Sequence, residues 1–118
     1  LPEPEQAARE AEQMAAHCDA LPPEILPGFV EAQRLRDAAL AAAALEALAA
    51  HGPPVAVITG NGHARRDWGV PSVLAVAAPD VTVMTLGQFE ARPEGAVPFD
   101  LWVLSDPVAR ADPCAAFR

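Results

Sequence analysis

A histidine at the end of a four-residue motif is the side chain in this sequence best placed to carry out chemistry. Gly60-Asn61-Gly62-His63 follows a short, unbroken apolar run at residues 55–59, which is typical of a parallel strand covered on both faces. Ligand sites in open α/β sheets form beyond the carboxyl ends of such strands. We therefore expect the glycines to adopt φ > 0 and turn the chain sharply, and His63 to project into a crevice. Imidazole binds metal ions, including haem iron, and transfers protons near neutral pH. The alternative is an ordinary turn followed by a solvated histidine.

Charged residues follow this motif directly, in the run Arg65-Arg66-Asp67-Trp68. The guanidinium groups of Arg65 and Arg66 would bring positive charge beside His63 and could hold carboxylates in forked hydrogen bonds. Asp67 could pair with either arginine or cap the helix that follows. A solvated charge cluster is the alternative for these residues, and packing is the commoner role for a residue such as Trp68.

Polar residues also interrupt the apolar face of the strongest predicted helix, which covers residues 29–50. Gln33, Arg36 and Asp37 share a face with Phe29 and Leu40 by helical spacing. Polar groups on a buried face need partners. Arg36 and Asp37 could pair with each other while Gln33 bonds to the backbone, or this face could line the crevice that contains His63.

Composition excludes several classes of function. The 118 residues carry a net charge of -8, which argues against binding to nucleic acid or to anionic lipid. All eight basic residues are arginine. No apolar run is long enough to span a membrane, and no HExxH, CxxC, phosphate-binding loop or GxSxG motif is present.

The pattern of apolar runs and breaks predicts an α/β fold with a partly parallel central sheet flanked by helices. Expected helices cover residues 3–18, 29–50 and 71–77, and expected strands cover residues 55–59, 81–86 and 99–104. A short turn is expected at residues 24–26, and a loop at 88–98. Three strands make a thin sheet, and the chain starts in helix-like sequence without Met, so we expect it to be part of a larger three-layer domain. Cys18 and Cys114 are either two free thiols or one disulfide.

At these residues the chain resembles the ChaN-like haem-binding proteins of the Tiki-like superfamily. The similarity lies in Gln33-Arg34-Leu35-Arg36-Asp37, in residues 57–71 around Gly-Asn-Gly-His-Ala-Arg-Arg-Asp, and in the tail at residues 112–118. Gly60-Asn61-Gly62-His63 matches the second G-x-x-H motif of that superfamily. The resemblance implies that a first motif lies before Leu1, so we expect residues 1–118 to be the C-terminal part of a single ChaN-like domain whose N-terminal half is absent.

The resemblance implies a haem- or iron-binding protein of a bacterial uptake system, with haem as its cofactor and a binding role rather than an enzymatic one. The alternative is a divalent-metal-dependent hydrolase of the Tiki type. His63 would be the iron or metal ligand, since the sequence has no Tyr. Other residues expected at the site are Asn61, Arg65 and Arg66, with Gln33 and Arg36 from the helix; Trp68 and Val70 would cover the ring.

The resemblance also implies a place in the cell envelope, either periplasmic or as a lipoprotein whose anchor lies outside this chain. In that oxidising compartment a Cys18–Cys114 disulfide becomes the favoured pairing. An outer-membrane haem receptor and a second copy of the chain are the implied protein partners, and nucleic acid is not.

Overall fold

The computed structural model describes residues 1–117 and contains four helices and a two-stranded parallel sheet. The helices are α1 (Glu3–Ala16), α2 (Leu26–His51), α3 (Asn61–Ala64) and α4 (Val70–Ala77). The strands are β1 (Leu86–Phe89) and β2 (Leu101–Leu104). Short 3-10 turns cover Pro23–Ile25 and Ala115–Phe117. This is the predicted α/β class, with parallel strands and flanking helices.

The bounds of α1, α2 and α4 lie within three residues of the predicted ones. Proline lies in the first turn of α1, where a missing N–H costs nothing, together with the acidic residues Glu3 and Glu5. The α2 helix starts at Leu26, three residues before the predicted start, and ends at His51. Gly52 then adopts φ +74° and stops the helix. The α4 helix runs one residue longer than predicted, from Val70, with proline again in its first turn.

The prediction of a strand at residues 55–59 is wrong for the part of the chain that the structure describes. The segment pairs with no strand, and Ile58 is 98% exposed. A strand needs a neighbour to take up its N–H and C=O groups, and no residue of this segment makes a backbone hydrogen bond within residues 1–117.

The second predicted strand is displaced along the sequence. The apolar run at residues 81–86 suggested its position, but the ladder covers Leu86–Phe89 and so includes two residues of the expected loop. Leu86 pairs with Leu101, and Phe89 with Leu104. Gly87 leaves space that the rings of Phe89 and Phe99 fill, because a Cβ at Gly87 would lie 2.8 Å from the Phe99 ring. A larger residue at position 87 would therefore displace these rings.

Two compact units divide the chain. The first comprises residues 1–35 and 109–117, and the second comprises residues 36–108. In the first unit, Leu26 and Val30 are buried, and the rings of His17 and Phe29 meet edge to face at 5.0 Å. In the second unit, Ala41 of α2 packs with Val70 and Leu74 of α4, and partly buried residues surround them: Leu40, Leu45 and Val73.

A disulfide between Cys18 and Cys114 closes the first unit. It joins residues 96 positions apart, with Cα atoms 5.4 Å from each other. Cys18 and Asp19 adopt left-handed conformations, with φ of 63° and 54°, and so turn the chain away from α1. This is the pairing that the resemblance implied. None of the helices within residues 1–117 has the length and apolar character that crossing a bilayer requires.

Because the bridge closes a loop of 96 residues, the double variant Cys18→Ala/Cys114→Ala is expected to lose about 4 to 5 kcal/mol of unfolding free energy. The physical reason is the larger conformational freedom of the unfolded chain. Urea unfolding followed by circular dichroism measures the loss, and wild type treated with reductant is the control. Superimposable curves for the oxidised and reduced protein would contradict the expectation.

Candidate functional site

The imidazole of His63 is hydrogen bonded to a buried carboxylate on α2. Its Nδ1 atom lies 2.7 Å from Oδ1 of Asp37. The Asp37 side chain is 4% exposed and that of His63 is 22% exposed. A carboxylate only accepts hydrogen bonds, so Nδ1 carries a proton, and in the neutral ring Nε2 keeps its lone pair. Nε2 has no hydrogen-bond partner within residues 1–117. This is the arrangement in which proteins hold a histidine that ligates a metal.

The partner of Asp37, which the sequence left open between Arg36 and the crevice of His63, includes His63 itself. Asp37 lies one helical turn before Ala41, which belongs to the core of the second unit. Its carboxylate therefore lies at the rim of packed side chains and meets His63 across 26 positions of sequence. The sequence singled out Asp37 as an unusual polar residue but did not place it among the haem contacts. The sequence did contain an indication of this role, because a charged residue on the buried face of a helix requires a partner.

The α3 helix that carries His63 forms differently from the sharp turn that the sequence predicted. Gly60 has φ -70°, and neither Gly60 nor Gly62 adopts a positive φ. Instead, the carbonyl oxygen of Gly60 accepts hydrogen bonds from the backbone N–H groups of His63 and Ala64, at 3.0 and 3.1 Å. The four residues thus make a single helical turn. Its hydrogen bonds form with negative φ angles at both glycines, so no left-handed residue is needed.

Asn61 fastens α3 to the sheet. Its side-chain amide nitrogen donates to the carbonyl oxygen of Gln88 at 2.7 Å, and its amide oxygen accepts from the N–H of Gln88 at 3.1 Å. The side chain therefore satisfies both backbone groups of one β1 residue, as a neighbouring strand would. Gln88 is the third residue of the four in β1, so α3 lies toward the carboxyl end of that strand. The sequence had instead placed the crevice at the end of an expected strand at residues 55–59, which does not form.

Arg65 and Arg66 both have partners on the protein itself. Arg65 holds Asp67 in a forked interaction, at 2.6 Å from Nε and 2.8 Å from Nη2, and its guanidinium lies 3.9 Å from the centre of the Trp68 ring. Burial raises the pKa of Asp67, but the hydrogen bond and charge of Arg65 outweigh that effect and leave the pKa below its usual value. Asp67 thus pairs with Arg65, one of the two roles that the sequence suggested.

Arg66 joins the same loop to the start of β2. Its backbone N–H donates to Pro98, and its Nη1 donates to Asp100 Oδ1 at 2.7 Å. Asp100 Oδ2 accepts from both the N–H and the hydroxyl of Thr85, at 2.8 and 2.9 Å. These bonds from Thr85, followed by the charge of Arg66, hold the pKa of Asp100 below its usual value.

The remaining predicted site residues are placed as follows. Gln33 is half-buried in the first unit, and Arg36 is exposed on α2. Their contacts with haem stay predictions, as do those of Asn61, Arg65 and Arg66. Val70 is 4% exposed in the core, so the expectation that it covers a ring is wrong. Within residues 1–117, no three His, Cys, Asp or Glu side chains form a group able to hold a metal ion.

Comparison with known proteins places the chain in a family. Residues 1–74 match the family model described as haem-binding uptake, Tiki superfamily, ChaN. The chain belongs to this family. The match includes both Asp37 and the motif at residues 60–63. No curated protein and no solved structure matches the chain.

The His63–Asp37 pair in the second unit has the chemistry of a histidine that binds haem iron. Haem iron accepts a neutral imidazole through one ring nitrogen, while the other nitrogen donates to a carbonyl or carboxylate. His63 has this division between Nε2 and Nδ1. Its side chain is 22% exposed, so a bound group could reach the ring.

Gly69 supports the position of His63, because its backbone lies against the carbonyl group of that residue. A Cβ at Gly69 would meet the His63 carbonyl oxygen, and it would lie 2.6 Å from the carbonyl carbon and 2.8 Å from the Arg65 carbonyl oxygen. Gly69→Ala is expected to lower the unfolding free energy by about 1 to 3 kcal/mol, since only the backbone can give way. Urea unfolding and the NMR signals of the His63 ring measure the change.

Gly62→Ala is the matched control for that experiment. A Cβ at Gly62 meets nothing within 4 Å and needs no positive φ. Alanine is favoured over glycine in helices by about 1 kcal/mol, so this variant should be as stable as wild type or more stable. Equal effects of the two substitutions would contradict the role assigned to Gly69.

Asp100→Asn should flatten the acid dependence of stability. The folded pKa of Asp100 is lowered, so below about pH 4, near the ordinary value, the unfolded chain binds more protons than the folded chain. The stabilisation is therefore present above that pH and is lost as the pH falls through the folded value. Urea unfolding between about pH 5 and pH 2 should give a shallower slope for the variant. Identical slopes would contradict the contribution of Asp100.

Proposed function

We propose that this protein binds haem for a bacterial haem or iron uptake system, with Nε2 of His63 as the iron ligand. The observation that carries the proposal is the 2.7 Å contact between His63 Nδ1 and Asp37. In the neutral ring this contact favours a proton on Nδ1, and Nε2 would then be available to a metal. Membership of the haem-binding uptake family supports haem as the ligand.

The surroundings of His63 support a site for an anionic, planar ligand. Arg65 presents its guanidinium beside Trp68, and Arg66 is half-exposed, with 54% of its side chain accessible. Haem supplies iron for the imidazole and two propionates for cationic side chains. In the proposal, Arg65 and Arg66 share or exchange their carboxylate partners, Asp67 and Asp100, to reach the propionates. Asn61 and Arg36 of the same unit complete the surroundings.

The disulfide supports a cell-envelope location for this function. Disulfides persist in oxidising compartments such as the periplasm, and the first unit is closed by Cys18–Cys114. A lipid anchor outside this chain, an outer-membrane receptor and a homodimer belong to the proposal through the family resemblance.

The alternative function is a divalent-metal-dependent hydrolase of the Tiki type. The His63–Asp37 pair favours it to the same degree as haem, since zinc ligands have the same carboxylate partner. A hydrolytic centre also requires further converging ligands and an open position. Asp67 is engaged by Arg65, so it would need to exchange that partner to serve as one.

Haem titration followed by absorbance tests the proposal on wild type, His63→Ala and His51→Ala. Wild type should show a saturable Soret shift that His63→Ala abolishes, because the iron loses its ligand. His51 is an exposed histidine at the end of α2, so His51→Ala should bind as wild type does.

A parallel zinc titration separates the two functions. Haem binding that both histidine variants retain would exclude His63 as the ligand. Absence of haem binding by wild type, together with zinc binding that His63→Ala removes, would overturn the haem proposal and favour the metal-dependent alternative.

A further inference from the structure

We propose that Asp37 acts as a positioning residue that fixes the tautomer of His63 and makes the site favour ferric over ferrous haem. The inference rests on the proposed haem function and concerns the choice of iron oxidation state at the same site. It draws on three observations: the short hydrogen bond, the burial of the carboxylate, and the rigid elements that carry both side chains.

The geometry of the pair is that of a charge-assisted hydrogen bond. The separation of 2.7 Å is at the short end of the range for an N–H donor and a carboxylate. The carboxylate side chain is 4% exposed, so water does not weaken the interaction. In such surroundings a hydrogen bond is electrostatically stronger than at the surface. Asp37 therefore increases the electron density on the imidazole and the basicity of Nε2.

A more basic ligand stabilises the higher charge on iron. Ferric haem has one more positive charge than ferrous haem at the metal, so it gains more from an electron-rich Nε2 atom. Hydrogen bonding from the second shell is one of the means by which proteins tune haem iron. The ligand and its partner thus predict a site that holds oxidised haem more tightly than reduced haem.

The two side chains are held by elements that leave little freedom to separate. Asp37 lies in the interior of the 26-residue helix α2 and next to the core residue Ala41. His63 is fixed by the hydrogen bond of its N–H to Gly60 and by the close packing of Gly69 against its carbonyl group. Support of this kind keeps the side chain that binds a metal in one orientation.

The tautomer is tested first, in the haem-free wild-type chain, by nitrogen NMR of the His63 ring. The expected result is protonation at Nδ1 with Nε2 unprotonated when the ring is neutral. Protonation at Nε2 instead would overturn the inference, because the iron-binding nitrogen would then be blocked. This measurement needs neither a variant nor haem, so it stands apart from the success of the haem proposal.

Haem affinity in both oxidation states tests the second part, on wild type, Asp37→Asn and Asp80→Asn. Asp37→Asn should weaken ferric haem binding about 10- to 100-fold, the usual effect of removing such a partner, and ferrous binding by less. A tenfold change in the ratio of the two dissociation constants equals about 59 mV in reduction potential, which spectroelectrochemistry measures independently. Asp80 is exposed in the turn after α4, and its variant should match wild type.

The outcomes separate this inference from the haem proposal. Equal weakening of both oxidation states would show that Asp37 only supports the fold, and unchanged affinities would show that it has no role; either result overturns the inference while haem binding stands. Failure of wild type to bind haem would instead overturn the proposed function, whatever the tautomer. If Asp37→Asn does not fold, the wild-type ratio of ferric to ferrous affinity still tests the preference.

Discussion

The contact between Asp37 and His63 is the interaction on which the second unit depends. A carboxylate with 4% of its side chain exposed loses most of its hydration, and that loss is compensated only by a well-oriented partner. The imidazole supplies the partner from 26 residues away. The helix that carries Asp37 and the short helix that carries His63 are therefore held to one relative position. Removing either side chain would break this hydrogen bond.

The remaining polar contacts of this unit hold the His63 segment to the sheet. Asn61 binds both backbone groups of Gln88, and Arg66 binds Asp100, which in turn binds Thr85. The first contact fixes the segment on β1, and the second fixes it near the starts of both strands. His63 lies between Asn61 and Arg66 in the sequence, and its ring is hydrogen bonded to Asp37. Arg66 and Asp100 therefore stabilise the fold, in addition to any contact that Arg66 makes with a ligand.

How much of this was predictable depends on how local the determining forces are. The helix bounds follow from proline in first turns and from Gly52 at the end of α2, all of which act within a few residues. The buried face of α2 was harder to assign, because residues 38–50 are almost all alanine and leucine and no side stands out. The short helix at residues 61–64 shows the same limit, since glycine permits a positive φ without requiring one.

The strands depend on partners, and here the sequence was a poorer guide. Residues 55–59 have the composition of a buried strand, yet their backbone groups find no partner within the described chain, and Ile58 remains exposed. Residues 86–89 form a strand because β2 lies beside them and the rings of Phe89 and Phe99 fill the space over Gly87. Side-chain composition therefore indicates where a strand can form, whereas the neighbouring backbone decides where one does. Asp37 follows the same rule, since its placement on a buried face indicated that a partner was needed but not that the partner was His63. That partner is set by the path of the chain between α2 and α3, so the site residue most informative about chemistry was the one whose role only the fold could reveal.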